Sequence, residues 1–335
     1  MNKIDDIYVD RLYPYLAMFR IPYFSSGNEK AFANVFLVID DELMLIDAGP
    51  YSEDKSSKLT YALKQSGFDI KDISRIVYTH SHPDHMGGGL GLDGYKGIRH
   101  CIYREAKNKV EKYGEYVSSV KSIAKNIFSE LLFLYPEAKD TYFDVVDHFW
   151  NPTYGEIGID EQLDEGDSIS TGKLKFKVIF TPGHSPWDIT LLEETKSLLF
   201  SGDFLLSKSS TMTGGLNGFG SDLISYESSL KKINKYLDQI KCIYPAHGPA
   251  ITSFSNLTDS LLAIVKGRED KIFNAISTNN CSLMDLMKVV YPSIDSVIVL
   301  ARCLGIVLTH LEKLENESKI HRIKDSDEVR FCLGR

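Results

Sequence analysis

Residues 78–88 read YTHSHPDHMGG and hold three of the chain's nine histidines, His80, His82 and His85, with Asp84 among them. Imidazoles crowded this closely repel one another once protonated, so they need a common partner, and a cation supplies it. His80 and His82 stand two apart at the end of a strand, where alternate side chains share a face and can reach one cation. Asp84 and His85 lie a turn further on and address a second position nearby. Neutral imidazole with carboxylate is a donor set for zinc, iron or manganese. The expected cofactors are therefore two divalent metal ions, zinc first, with iron or manganese as alternatives. The five cysteines, Cys101, Cys242, Cys281, Cys303 and Cys332, are scattered and never form a C-x-x-C pair. They read as small buried hydrophobes rather than as a disulfide framework or a cysteine zinc site. The isolated His100, His148, His310 and His321 read as hydrogen-bonded core residues.

The elements around the cluster explain how it is carried. Residues 34–49, NVFLVIDDELMLIDAG, are two aliphatic runs split by acidic turn residues, a hairpin ending at Asp47. A helix is predicted over 54–66, then a short buried strand, RIVYT (75–79), delivers the chain into the histidines. Another strand lies near GIRHCIY (97–103). In the second half, strands are predicted at 173–183, 188–194, 197–203 and 241–248, each ending in a His or an Asp. That placement points to one shared site at one edge of the sheets. A helix with Tyr226, Leu230, Ile233, Leu237 and Ile240 on one face lies between the last two.

Between these halves, residues 116–134 form a helix with two apolar stripes. Val117, Val120, Ala124, Ile127, Leu131 and Leu134 make one; Ile123, Phe128, Leu132 and Phe133 make the other. Such a helix must be covered twice. The segment 103–148 is accordingly a candidate lid, with Phe128, Leu132 and Phe133 as its apolar lining, the competing reading being plain core packing. The glycine-rich TGGLNGFG (213–220) is either a substrate border or a connector.

At 335 residues the chain has room for about two domains at roughly 150 residues each. A net charge of −8 argues against a surface built to neutralise phosphate backbones. From about residue 256 the pattern becomes helix, turn, helix and then a charged hairpin, KDSDEVRFCL, which is a winged-helix arrangement. Residues 256–335 carry eleven basic and eleven acidic side chains, so no basic face is available. This tail reads as a packing or homodimerisation module, and no nucleic-acid partner is expected. MNKIDDIYVD lacks a charged start followed by an apolar stretch, and VIVLARCLGIVL (297–308) is too short and too charged to span a bilayer. A cytoplasmic protein with no membrane partner is the expectation.

H-S-H-P-D-H at 80–85, Gly-His at 183–184, S-G-D at 201–203 and P-A-H-G at 245–248, preceded by LIDAG, resemble the five ordered motifs of the metallo-β-lactamase superfamily. The resemblance spans about residues 30–250. It implies an α/β fold, a four-layer αβ/βα sandwich over residues 1–255 with the helical insertion at 103–148, and a small winged-helix-like domain over 256–335. It further implies that His80, His82 and His184 hold one metal, that Asp84, His85 and His247 hold the other, and that Asp203 bridges them. Asp47 resembles the aspartate that orients the ligand loop.

The chemistry expected is hydrolysis by hydroxide generated between the metals. Two divalent cations with Asp84, Asp203 and that hydroxide keep a net positive charge, which meets the charge developing on a carbonyl under attack. Asp84 is the candidate catalytic proton shuttle. The tail is similar to that of β-lactamase-like 2 type hydrolases, and TPGHSPWDITL resembles thioester-cleaving, glyoxalase II-like branches, although Trp187 and Asp188 depart from the glutathione-specific pattern. The substrate is expected to be a small acyl compound, an acyl thioester first, or an ester or lactone. Two other readings stand beside it: an iron-dependent oxidoreductase resembling persulfide dioxygenases, and a metal-containing binding or regulatory protein with little turnover.

Overall fold

In the computed structural model the described residues are 6–26, 29–51, 57–90, 92, 97–132, 147, 157–207, 211, 213, 222–293, 297–325 and 328–334. Two sheets form the centre. The first runs β1 (Tyr8–Tyr13), β2 (Leu16–Ser26), β3 (Glu29–Ile39), β4 (Leu43–Ile46), β5 (Ile73–Val77), β6 (Arg99–Tyr103) and β7 (Glu161–Leu163) in that spatial order. Its pairs are antiparallel up to β4 and parallel from β4 to β7. The second comprises β8 (Ser168–Ser170), β9 (Lys175–Phe180), β10 (Ile189–Glu193), β11 (Leu198–Gly202) and β12 (Cys242–Pro245), ordered β12-β11-β10-β9-β8.

The run NVFLVI is apolar without interruption because β3 is covered on both faces. Phe36 and Val38 point inward with Met44, Ile46 and Val77, and meet Phe176, Val178, Leu191, Phe200 and Tyr244 of the second sheet. Val35, Leu37 and Leu45 point outward onto α1 (Ser57–Gln65), α2 (Pro83–Leu90), α3 (Lys107–Val110) and α4 (Tyr113–Leu132) through Leu59, Leu63, Met86, Val110 and Tyr113. On the far side, Ile179, Leu192, Leu199 and Ile243 receive Tyr226, Leu230 and Ile233 of α5 (Leu223–Leu237). Full burial of each such side chain contributes about 1.5–3 kcal/mol. The result is the four-layer αβ/βα sandwich.

The β1–β2 hairpin has no counterpart in the sequence reading, which assigned nothing before Asn34. β10 corrects the pattern of strands ending in His or Asp. It is antiparallel to β9 and β11, so its first residues, with Asp188 just ahead of them, come to the edge where its neighbours end. The start of the candidate lid segment 103–148 packs into the main core. Ala106, Val110, Tyr113, Tyr116, Val117 and Val120 are all buried in the main core, so α3 and the first two turns of α4 are packing elements. Phe133, and the side chains of Phe128 and Leu132, lie outside the described residues, as do residues 214–220 of the glycine-rich segment.

The C-terminal part follows the order α6 (Leu257–Thr278), β13 (Cys281–Ser282), α7 (Leu283–Val290), α8 (Val297–Asn316), β14 (Ile320–Asp325) and β15 (Glu328–Leu333). The three strands pair as β13-β15-β14, so the fold is a winged helix. Ile272, Ile276, Leu286, Val307, Leu311 and Phe331 build its core. α7 starts with a capping box: the Ser282 hydroxyl accepts from Asp285 N at 3.2 Å, and the Asp285 carboxylate accepts from Ser282 N at 3.0 Å. His310 is buried as expected, whereas His321 faces solvent on β14 and is not a core residue; His148 lies outside the described residues. All five cysteines are buried free thiols. No helix among the described residues is long and apolar enough to cross a membrane.

Candidate metal centre

Five loops at one edge of the sandwich, after β4, β5, β9, β11 and β12, carry the site. The first follows β4, where Asp47 takes a left-handed backbone (φ 60°) that aspartate tolerates better than most residues. Its carboxylate accepts from Thr79 N at 2.7 Å, from Thr79 Oγ1 at 2.9 Å and from His85 Nδ1 at 2.9 Å. The second loop leaves β5 and places His80 and His82 before Pro83 opens α2, whose first turn carries Asp84 and His85. That helix presses its backbone onto the chain after Asp47. A Cβ at Gly87, Gly88 or Gly89 would lie 2.1 Å from Tyr51 N, 2.2 Å from Ala48 O and 1.9 Å from Tyr78 Oη respectively. The glycine run is therefore what lets the ligand helix seat.

The third loop, after β9, carries His184. Gly183 (φ 141°) precedes it, and a Cβ there would sit 2.5 Å from the Tyr226 Cα of α5. The fourth and fifth follow β11 and β12 and deliver Asp203 and His247. Asn34 of β3 clamps the last loop: its Nδ2 donates to Pro245 O and Gly248 O, both at 2.9 Å, and its backbone N–H donates to Ala246 O at 2.7 Å.

All seven expected residues converge. Donor atoms of His80, His82 and His184 lie within 4.8 Å of one another, as do those of Asp84, His85 and His247, and those of His80, His85 and Asp203. His184 Nε2 is 3.0 Å from His82 Nδ1 and 3.3 Å from Asp203 Oδ2. His247 Nε2 is 3.3 Å from Asp203 Oδ1 and 3.2 Å from Asp84 Oδ2. His85 Nε2 lies 3.6 Å from Asp84 Oδ1 and from Asp203 Oδ1.

The ring nitrogens are sorted by their outer partners. Nδ1 meets Thr79 Oγ1 in His80 (3.1 Å), Asp47 in His85, Thr211 Oγ1 in His184 (2.9 Å) and the Phe32 carbonyl in His247 (2.8 Å). In each of these four the Nε2 is thereby turned inward, while His82 presents Nδ1. His80 Nε2, His85 Nε2 and Asp203 Oδ1 are buried without any hydrogen-bond partner among the described residues. Buried polar atoms are rarely left so. Orphaned lone pairs of imidazole and carboxylate aimed at common points fit a divalent cation.

The electrostatics agree. Burial and the neighbouring His85, His82 and His184 hold His80 well below the usual histidine range. Burial would lower His85 too, but Asp84, Asp203 and Asp47 raise it to about 9. Burial would likewise lower His247, which Asp203 and Asp84 instead raise well above the ordinary value. Without a cation the carboxylates thus keep protons on His85 and His247, and a cation must displace them. Asp188, which the sequence reading did not place at the site, is buried beside it. Burial raises its carboxyl to about 8 against hydrogen bonds from Ser185 N and Oγ, both at 2.6 Å. Sequence reading also missed Thr79, Thr211 and Asn34, none of which carries a pattern of its own.

The metallo-beta-lactamase superfamily model matches residues 29–247, and the beta-lactamase associated winged helix domain model matches residues 282–328. The chain is 25% identical over 313 residues to a probable metallo-hydrolase, YqjP, of Bacillus subtilis, covering 89% of this chain and 92% of that one. It is 31% identical over 188 residues to a hydroxyacylglutathione hydrolase of Francisella tularensis subsp. novicida, covering 53% and 63%. A metallo-beta-lactamase family protein from Thermus thermophilus has the same fold, with a TM-score of 0.73 at 20% identity over 96% of this chain and 100% of that one. The family match covers most of the chain and ends at His247, the last residue of the converging set. The chain belongs to the metallo-beta-lactamase superfamily of metal-dependent hydrolases.

Proposed function

We propose that this protein is a binuclear hydrolase of acyl thioesters or related esters. His80, His82 and His184 would hold one cation, Asp84, His85 and His247 the second, and Asp203 would contribute an oxygen to each. The observation that carries this reading is the split of Asp203: Oδ2 faces His184 Nε2 at 3.3 Å, while Oδ1 faces His247 at 3.3 Å and His85 at 3.6 Å. When bound, divalent cations, zinc first, would supply Lewis acidity, lowering the pKa of water and stabilising negative charge on a carbonyl oxygen.

The protein's own residues do the rest. Asp47 and Thr79 orient the ligand loop, Asn34 and the Phe32 carbonyl orient His247, and Asp84, beside His85 and His247, takes the proton of the attacking water and passes it to the leaving group. Before any cation binds, burial would raise the Asp84 carboxyl but His85 and His247 hold it below its ordinary range, so it is ionised and free to take its place among the ligands. The Francisella relative's name supports a thioester, whose thiolate leaves readily, and Trp187 with Asp188 favours an acyl group other than a glutathione conjugate, such as an acyl-coenzyme A or acyl-carrier thioester. The partner is a small acyl substrate in the cytoplasm, without nucleic acid or membrane, and the tail serves packing or homodimerisation.

Elemental analysis of purified protein, together with turnover of thioester, lactone and β-lactam panels, tests this. Two equivalents of divalent metal per chain with thioester turnover is expected. One equivalent of iron with oxygen consumption would overturn it in favour of oxidation, and metal without turnover would leave a binding protein.

A further inference from the structure

The third helix of the winged helix, α8, is docked against the rest of the chain. Thr309, 2% exposed, lies with Oγ1 2.8 Å from the carbonyl oxygen of Thr213 and 2.7 Å from that of Gly305, so its proton is shared between them. One turn later Lys313 Nζ donates to Glu227 Oε1 of α5 at 2.6 Å and pairs with Glu269 Oε2 of α6 at 2.7 Å. Burial would raise the Glu269 carboxyl, but hydrogen bonds from Lys266 and Lys313 bring it down to about 2, so the triad is charged at neutral pH. In DNA-reading modules of this type the equivalent helix enters the major groove. Here the face carrying Thr309 and Lys313 is spent on the β-sandwich.

Two residues before Thr213 stands Thr211, 3% exposed, whose Oγ1 meets His184 Nδ1 at 2.9 Å. His184 can offer its Nε2 lone pair only as the tautomer protonated at Nδ1, and that N–H needs an acceptor. The other three outer partners come from the sandwich itself: Thr79 beside β5, Asp47 at the end of β4 and Phe32 within β3. His184 differs, because its acceptor sits in the connection between β11 and α5, two residues from a carbonyl gripped by α8.

We propose that the winged helix is a positioning element of the metal centre. Thr309 holds the Thr213 carbonyl, and this keeps the Thr211 hydroxyl against His184, so the His80–His82–His184 position is tuned from the C-terminal domain. The inference rests on His184 being a ligand, as read above. Thr211 and Thr309 are positioning residues; neither touches substrate.

The test uses the full chain and Zn2+, titrated in competition with a chromophoric chelator, with a melting curve for each variant. Thr211→Val should weaken one of the two zinc equivalents by ~10–100-fold, the usual range for an outer partner of a metal-bound histidine. Thr309→Val should weaken the same equivalent by a smaller factor, and Thr309→Ser, which keeps the donor, should restore it. The double variant Thr211→Val/Thr309→Val should bind no more weakly than Thr211→Val alone, because both act through one path. If Thr309→Val fails to fold, Glu227→Gln loosens the docking of the same helix one turn away, at its Lys313 contact, and should move the same equivalent. Unchanged zinc affinity in Thr309→Val and Glu227→Gln with lowered melting temperatures, or additive losses in the double variant, would overturn the proposal. Fewer than two equivalents in the unmodified protein would instead sink the binuclear reading on which it stands.

Discussion

Asp47→Asn is the substitution that separates ligand geometry from ligand identity. Asn tolerates the φ of 60° at this position, so the backbone is kept, whereas Ala would add strain there. One carboxylate oxygen becomes an amide NH2. It can still donate to Thr79 Oγ1, but it confronts the His85 Nδ1–H at 2.9 Å with a second donor. His85 must then move its proton to Nε2, the nitrogen that faces Asp84 and Asp203, and loses its lone pair there. A charge-assisted hydrogen bond is worth about 1.5–3 kcal/mol. The loss of an outer partner costs ~10–100-fold in metal affinity, about 1.4–2.8 kcal/mol at 1.4 kcal/mol per decade. The two ranges coincide, so one hydrogen bond accounts for the whole expected effect. Asp47 also raises the proton affinity of the same ring, to about 9 together with Asp84 and Asp203, and protons compete with metal below that pH. Removing its charge relieves that competition, so the loss should be nearer ~10-fold at pH 7 and nearer ~100-fold toward pH 9. Chelator competition across that pH span measures it. An affinity equal to that of the unmodified protein at both ends would refute the assignment of Asp47 as the partner that fixes His85.

Asp203→Ala should lose metal and activity together, while Asp84→Ala retains part of the metal and loses turnover; metal content alongside kcat checks both, and a fully active Asp203→Ala would end the bridging assignment. The Glu269 carboxyl, at about 2 in the fold against an ordinary 4.5, contributes stability that is complete above pH 4.5 and lost as pH falls toward 2, at most about 3 kcal/mol. Between pH 7 and pH 3 denaturant titrations should show the unmodified chain losing about 2 kcal/mol more stability than Glu269→Gln, because at pH 3 the folded carboxyl is still largely ionised. Gly183→Ala should destabilise by ~2 kcal/mol or more, because its Cβ would meet the α5 backbone 2.5 Å away at a φ that L-residues rarely adopt, and a lowered melting temperature reports it.

His80, His82, Asp84 and His85 stood out before any fold was known, because their chemistry is local in the sequence, whereas His184, Asp203 and His247 were reached only through the resemblance of their motifs to a known family. Three imidazoles and a carboxylate within six positions have few explanations other than a cation, and alternating apolar runs announce the strands that end beside them. The winged helix was legible for the same reason: helix, helix and hairpin are patterns of short period. What tertiary structure alone decided is which atom of each residue faces inward. His85 takes its orientation from Asp47, 38 positions away, and His247 from the Phe32 carbonyl, 215 positions away. Asp188 reaches the site because β10 runs against its neighbours, and α8 grips the Thr213 carbonyl because two domains pack. Such partners carry no periodicity; a tautomer is set by one hydrogen bond across space, and only a folded chain brings its two ends together.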